Sequence, residues 1–99
     1  MEWFERIVGF EWDDGNARKN DKHGVSQGEA EQVFFDPNLL VVTDTRHSIR
    51  EPRLHALGAT FANRRLHVTF TLRVEMTRIR VIAARPTHRR ERRFYESQD

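Results

Sequence analysis

The 99-residue chain contains no cysteine. Disulfides, thiolate metal sites and cysteine nucleophiles are therefore excluded, and a small oxidised secreted scaffold is not expected. A reducing cytoplasm is the expected setting. Long hydrophobic runs are also missing: stretches such as residues 39–42 fall far short of the roughly 20 apolar residues of a membrane span. The first residues, Met-Glu-Trp-Phe-Glu-Arg, lack the basic-then-apolar order of a signal peptide, and no membrane association is expected. Nucleophile elbows, glycine-rich phosphate loops and dinucleotide fingerprints are absent, so ATP- or NAD-dependent chemistry finds no support and no cofactor is expected. Internal repeats and low-complexity segments are lacking as well.

What is present is enough for a core. Hydrophobic residues make up 37% of the chain and ten residues are aromatic, more than a disordered tail carries. At this length the expectation is one domain, residues 1–99. The formal net charge of +2 conceals a division along the chain. Residues 1–44 hold four basic and ten acidic side chains, whereas residues 45–99 hold thirteen basic and five acidic ones. Fifteen of the 17 basic residues are Arg, whose planar fork grips phosphate or carboxylate through paired hydrogen bonds. That bias points to a polyanionic partner, nucleic acid first, with a merely solvated charged surface as the competing reading.

Residues 4–12 read as a first strand, with Phe4, Val8, Phe10 and Trp12 on one face. Turn residues 13–16 lead into a short polar helix over 17–22, ended by His23-Gly24. Ser26 with Glu29 forms a capping box, Ala30, Val33 and Phe34 follow at helical spacing, and Asp36-Pro37 stops that second helix. Strands are predicted at 39–43 and 53–60, separated by a polar connection over 44–52. The clearest pattern is Leu66, Val68, Phe70, Leu72 and Val74 alternating with polar residues, a strand with one wet face. A tight turn at Met76-Thr77, a strand over 78–85 and a helix from Pro86 or Thr87 to Glu96 complete an α+β order.

A two-residue turn at Met76-Thr77 sets Glu75 opposite Arg78 and Arg73 opposite Arg80, with Thr71 and His67 further along the same face. Opposed arginines repel, so either an anion or carboxylate lies between them or both splay into water. The five histidines His23, His47, His55, His67 and His88 offer acid or base chemistry near neutral pH. Their spacing carries no metal motif. His55, beside Arg53 on a strand, is the candidate site histidine. In the last helix His88, Glu91 and Tyr95 share a face, an acid/base set or a docking surface with solvated charges.

Taken in order, Phe10-Glu-Trp-Asp-Asp-Gly-Asn16, Lys19, Lys22-His-Gly-Val-Ser26, Glu31-x-Val-Phe34 with Asp36-Pro37, and Ala84-Arg-Pro-x-x-Arg-Arg-Glu-Arg-x-x-Tyr-Glu96 resemble the BrnT toxins of bacterial BrnT–BrnA toxin–antitoxin systems. The resemblance spans nearly the whole chain. It implies a RelE-like α+β fold: an N-terminal strand and two helices, an antiparallel sheet of about four strands, and a C-terminal helix. It implies a metal-independent endoribonuclease that inhibits translation and growth. The BrnA antitoxin would neutralise it, and operator DNA would be met only through the antitoxin complex. In such chemistry the ribose 2′-hydroxyl attacks the adjacent phosphate, so the protein must orient phosphate, stabilise charge and move protons. By position, Arg53, His55, Arg80, Arg85 and Tyr95 are the expected catalytic residues, and Arg64, Arg65, Arg78 and Arg89 the expected RNA-backbone contacts. For Lys22-His23-Gly24 a helix-ending role is favoured over RNA contact. The competing reading is a non-catalytic nucleic-acid-binding or co-repressor module, which would tolerate loss of His55 or Tyr95. An enzyme acting on small acidic metabolites is disfavoured by the missing cofactor motifs.

Overall fold

In the computed structural model, which describes residues 2–46 and 51–98, five strands form one sheet: β1 (Gly9–Glu11), β2 (Leu40–Thr43), β3 (Leu54–Ala59), β4 (Arg65–Arg73) and β5 (Arg78–Pro86). The spatial order is β1-β5-β4-β3-β2. The last four strands of the chain pair antiparallel, while β1 runs parallel to β5. The expected antiparallel sheet of about four strands is thus a mixed sheet of five. Two helices accompany it, α1 (Gln27–Val33) and α2 (Arg89–Glu96).

Period-two alternation builds the core. Leu54, Ala56, Leu66, Val68, Phe70, Leu72, Ile79, Val81 and Ala84 face one side of the sheet and are buried. Ala30 and Val33 of α1 and Phe34, the residue after it, cover that side, with Phe34 and Phe70 edge to face at 4.9 Å. The capping box forms as the sequence predicts: the Ser26 hydroxyl accepts from the Glu29 N–H at 3.1 Å, and the Glu29 carboxylate accepts from the Ser26 N–H at 3.1 Å. The approach of α1 to β3 needs Gly58, since a Cβ there would lie 2.8 Å from Val33 Cγ1.

The segment before the helix differs from the expected strand. The chain over Glu2–Arg6 is a 3₁₀ helix that lays Trp3 and Phe4 against the core, and only Gly9–Glu11 pairs in the sheet. Aromatics spaced for a strand face also serve a short helix, so the alternation did not discriminate. Residues 14–20 are turns rather than a helix, with a 3₁₀ turn only at Asp21–His23. This loop has a definite task. Because β1 covers β5 only as far as Arg80, the remaining edge of β5 is satisfied by two buried asparagines. Asn16 Nδ2 donates to Val81 O at 2.9 Å, and the Ala84 N–H donates to Asn20 Oδ1 at 2.8 Å. Gly24 ends the 3₁₀ turn at φ 68°, as the helix-ending role expected for Lys22-His23-Gly24 requires.

The β4–β5 connection spans residues 74–77, longer than the predicted two-residue turn, and Val74, Glu75 and Met76 all have positive φ. Arg73 therefore opposes Arg78, and Thr71 opposes Arg80. The slip is of two residues, which keeps the faces and changes the partners. A bulge at Ile82 then shifts the register so that His67 opposes Arg85. Without that extra residue His67 would oppose Ala84, and Arg85 would point into the core. His47 and part of the 44–52 connection lie outside the described residues.

Candidate active site

The sheet face opposite α1 is polar. Across it, Leu57, His67 and Arg85 form one row of register partners, and His55, Thr69 and Ala83 form the next. β2 adds Leu40 and Val42 at one margin, and α2 lies over the row that holds His67. Strand alternation alone puts His55 and His67 on one face. Their positions, diagonal neighbours whose register pairs lie two residues apart, bring the rings together.

His55 Nδ1 lies 2.8 Å from His67 Nε2 and 3.1 Å from Thr69 Oγ1. At the outer end His55 Nε2 meets Asp44 Oδ2 at 2.9 Å, just past the end of β2. At the inner end His67 Nδ1 is 2.7 Å from Glu91 Oε2 and 2.8 Å from Arg85 Nη2. Arg85 grips both Glu91 oxygens, at 2.8 and 2.9 Å, and Glu91 also accepts from the His88 backbone N–H at 2.9 Å. The result is one line of five side chains: Asp44, His55, His67, and the Arg85–Glu91 pair.

Burial pushes the His67 imidazole below its ordinary value against the pull of Glu91, and Arg85 and His55 push it the same way. Near neutral pH the ring is therefore neutral. With the proton of the neutral ring on Nε2, His67 accepts from Arg85 at Nδ1 and donates to His55 Nδ1, and His55 with its proton on Nε2 donates to Asp44; with the proton on Nδ1, His67 donates to Glu91 instead. On protonation the same Nδ1 donates instead to Glu91. The proton thus has a prepared partner on either side of the change, with no heavy atom displaced. Burial works to raise the Glu91 carboxyl, but Arg85, the His88 N–H and His67 outweigh it and hold it at about 2.

His55 and Arg85 are the expected catalytic residues that the structure brings together. Arg53 precedes β3, two residues from His55, and its carbonyl accepts from the Asp44 N–H at 2.8 Å. Arg80 stands elsewhere, opposite Thr71 and so about 14 Å along β4 from the His67 row at ~3.4 Å per residue. It is held by Glu11 at 3.0 Å and Asp13 at 2.8 Å, and the Arg80 guanidinium lowers the Asp13 carboxyl. Glu11 also lies 3.9 Å from Arg73, whose other partner is Glu51 at 2.6 Å. Carboxylates of the chain itself therefore separate the arginines that the sequence sets side by side. The Tyr95 hydroxyl donates to Asp36 Oδ2 at 2.6 Å, and burial together with Asp36 raises the phenol to about 12.

Of the expected RNA contacts, Arg64 binds Gly24 O and Glu29 at 2.7 and 2.9 Å, and Arg65 pairs with Glu96 at 3.1 Å. Arg78 and Arg89 are exposed. Arg90, Arg92 and Arg93 are exposed beside Arg89, so α2 carries four outward arginines next to the histidine line. His67, Glu91 and Asp44 were not singled out as site residues. A second histidine on the polar face of the strongest strand was the available signal for His67. The helix face that Glu91 shares with His88 and Tyr95 marked it as acid/base or as a solvated charge, and nothing in the spacing marks Asp44. Among the described residues no group of three or more His, Cys, Asp or Glu side chains is placed to hold a metal ion.

Residues 12–91 match the sequence model of a family described as the ribonuclease toxin, BrnT, of type II toxin–antitoxin system. The chain belongs to this family. Every member of the histidine line lies within the matched residues, while Tyr95 lies just past them. Comparison with individual curated proteins returns no match. Membership of the BrnT family makes the activity that of a ribonuclease toxin and makes an antitoxin its partner. Among the described residues no helix is long and apolar enough to cross a membrane.

Proposed function

We propose that this chain is an endoribonuclease that cuts RNA by internal transesterification without metal, with the His55–His67 pair as its proton carrier. The 2′-oxygen bonds to phosphorus, the bond from phosphorus to the 5′-oxygen breaks, and the products are a 2′,3′-cyclic phosphate and a 5′-hydroxyl. The pair takes the 2′-hydroxyl proton and returns one to the leaving oxygen. The observation that carries this reading is the 2.8 Å contact between two imidazoles, flanked by Asp44 and by Arg85 with Glu91. Asp44 and Glu91 set the ring orientations, and Arg85 supplies positive charge at the line's inner end. His55 is the entry point, at 29% side-chain exposure against 15% for His67.

RNA is held by the outward arginines of α2 together with Arg78, because Arg64, Arg65 and Arg80 already have carboxylate partners. Arg53 stays in the proposed site beside His55, and Tyr95 acts by fixing α2 rather than by moving a proton. In a RelE-like setting of this kind, a BrnA antitoxin masks the arginines of α2 and stores the toxin inactive in the cytoplasm. It also carries the operator-binding segment. The test is incubation of antitoxin-free protein with RNA in EDTA, followed by analysis of the new ends. Cleavage leaving cyclic phosphates is expected, and no cleavage without added divalent metal would overturn the scheme.

A further inference from the structure

Beside the histidine line, the crevice between the turn after α1 and the end of α2 forms a cavity of about 220 Å³. Its walls are Pro37, Asn38, Leu39, Leu40, Tyr95 and Gln98. We propose that this cavity is a nucleobase subsite, receiving a base next to the scissile phosphate; the inference rests on the ribonuclease reading above.

A nucleobase is flat, apolar on both faces and edged with donors and acceptors, and unpaired RNA is recognised through those two features. The cavity offers both. Pro37, Leu39, Leu40 and the Tyr95 ring supply apolar wall, while Asn38 and Gln98 supply amides that each donate and accept. At about 220 Å³ it is too large for an ion and suited to a ring system. Two walls from distant parts of the chain are tied to one carboxylate. Asp36 accepts from Tyr95 at 2.6 Å, from the Ala59 N–H at 2.7 Å and from the Asn38 N–H at 2.8 Å. The crevice is therefore formed before any ligand arrives, which lowers the ordering cost of binding.

Location carries the argument to RNA. Leu40 pairs with Leu57, and Leu57 pairs with His67. The cavity floor is thus two strand spacings, about 10 Å, from the ring that handles the proton. A base held there belongs to the nucleotide being cut or to its neighbour, so the cavity would set sequence preference.

The experiment has two arms. Amide chemical shifts of the wild-type protein are followed by NMR during titration with each of the four nucleoside 3′-monophosphates. Residues 38–40 and 95–98 should shift, with one nucleotide acting more strongly than the others. Absence of shifts there with all four overturns the subsite even if RNA is cleaved. Cleavage sites are then mapped on a random-sequence RNA pool for wild type and for the Asn38→Ala, Gln98→Ala double variant. Both side chains are exposed, so the fold should persist. Base preference beside the cut should fall about tenfold, the low end of what a pocket contact discriminates, while cutting continues. Unchanged preference overturns the proposal. Should wild type cleave nothing, the ribonuclease reading fails and the titration alone decides whether the cavity binds bases.

Discussion

Glu91 is the carboxylate on which both the site and the docking of α2 depend, and Glu91→Gln isolates its charge. The carboxyl is held at about 2, against an ordinary 4.5. At about 1.4 kcal/mol per pH unit this corresponds to roughly 3 kcal/mol of preference for the charged form. The side chain keeps 22% of its exposure, and screening leaves about 1–2 kcal/mol as the expected stability contribution. The folded value is depressed, so this contribution is present above the unfolded value near 4.5 and is lost as the pH falls toward about 2. Urea unfolding should then show the variant ~1–2 kcal/mol less stable at pH 7. Between pH 5 and pH 2.5 the wild type should lose that advantage, and the two midpoints should converge. Other carboxylates titrate in both proteins and cancel in the difference. His67 acts in a separate window. Its folded value is lowered, so its protonation destabilises the fold as the pH drops below about 6.5, and the difference is best read below pH 5. A stability difference that stays constant from pH 7 to pH 2.5 would refute the ionic account of the Arg85–Glu91 pair.

Three further outcomes are expected. The slope of log affinity against log salt for single-stranded RNA should be about −0.7 per phosphate neutralised; replacing Arg89, Arg90, Arg92 and Arg93 with Gln should flatten it, whereas replacing Arg64 and Arg65 should change it little. Tyr95→Phe should cost about 1 kcal/mol in urea unfolding through the lost Asp36 hydrogen bond and leave cleavage near wild type; loss of cleavage in a folded variant would return Tyr95 to the proton-transfer role. Arg78→Glu with Arg89→Glu should weaken antitoxin binding by titration calorimetry at fixed salt, and unchanged affinity would remove masking of this surface.

How far the sequence carried this picture depends on the range of the interaction. The Ser26–Glu29 capping box and the alternation from Leu66 to Leu72 are local, and both were legible. Alternation alone predicts strand where Glu2–Arg6 is a 3₁₀ helix, because aromatic spacing there serves the core in either conformation. A parallel β1 was not foreseen, since pairing Gly9–Glu11 with Arg78–Arg80 joins the two ends of the chain. The site was legible in part. His55 was readable from residue type and strand position, and Arg85 from the family resemblance and its place at the end of the last strand. What joins them is a strand register with a bulge at Ile82 and a helix that returns Glu91 to His67, 24 residues away in sequence. Neither leaves a periodic signal. The pairing of Arg80 with Asp13, 67 residues apart, was hidden in the same way, and it moved an expected site arginine into a structural ion pair.

Proton transfer through the two facing imidazoles is measured by the pH–rate profile of RNA cleavage in EDTA for wild type, His55→Gln and His67→Gln. The wild-type rate should be governed by a group titrating below the ordinary histidine value, and each variant should lose about 10²–10⁴-fold with the fold retained. Cleavage near the wild-type rate in either folded variant, with the pH profile unmoved, would contradict it.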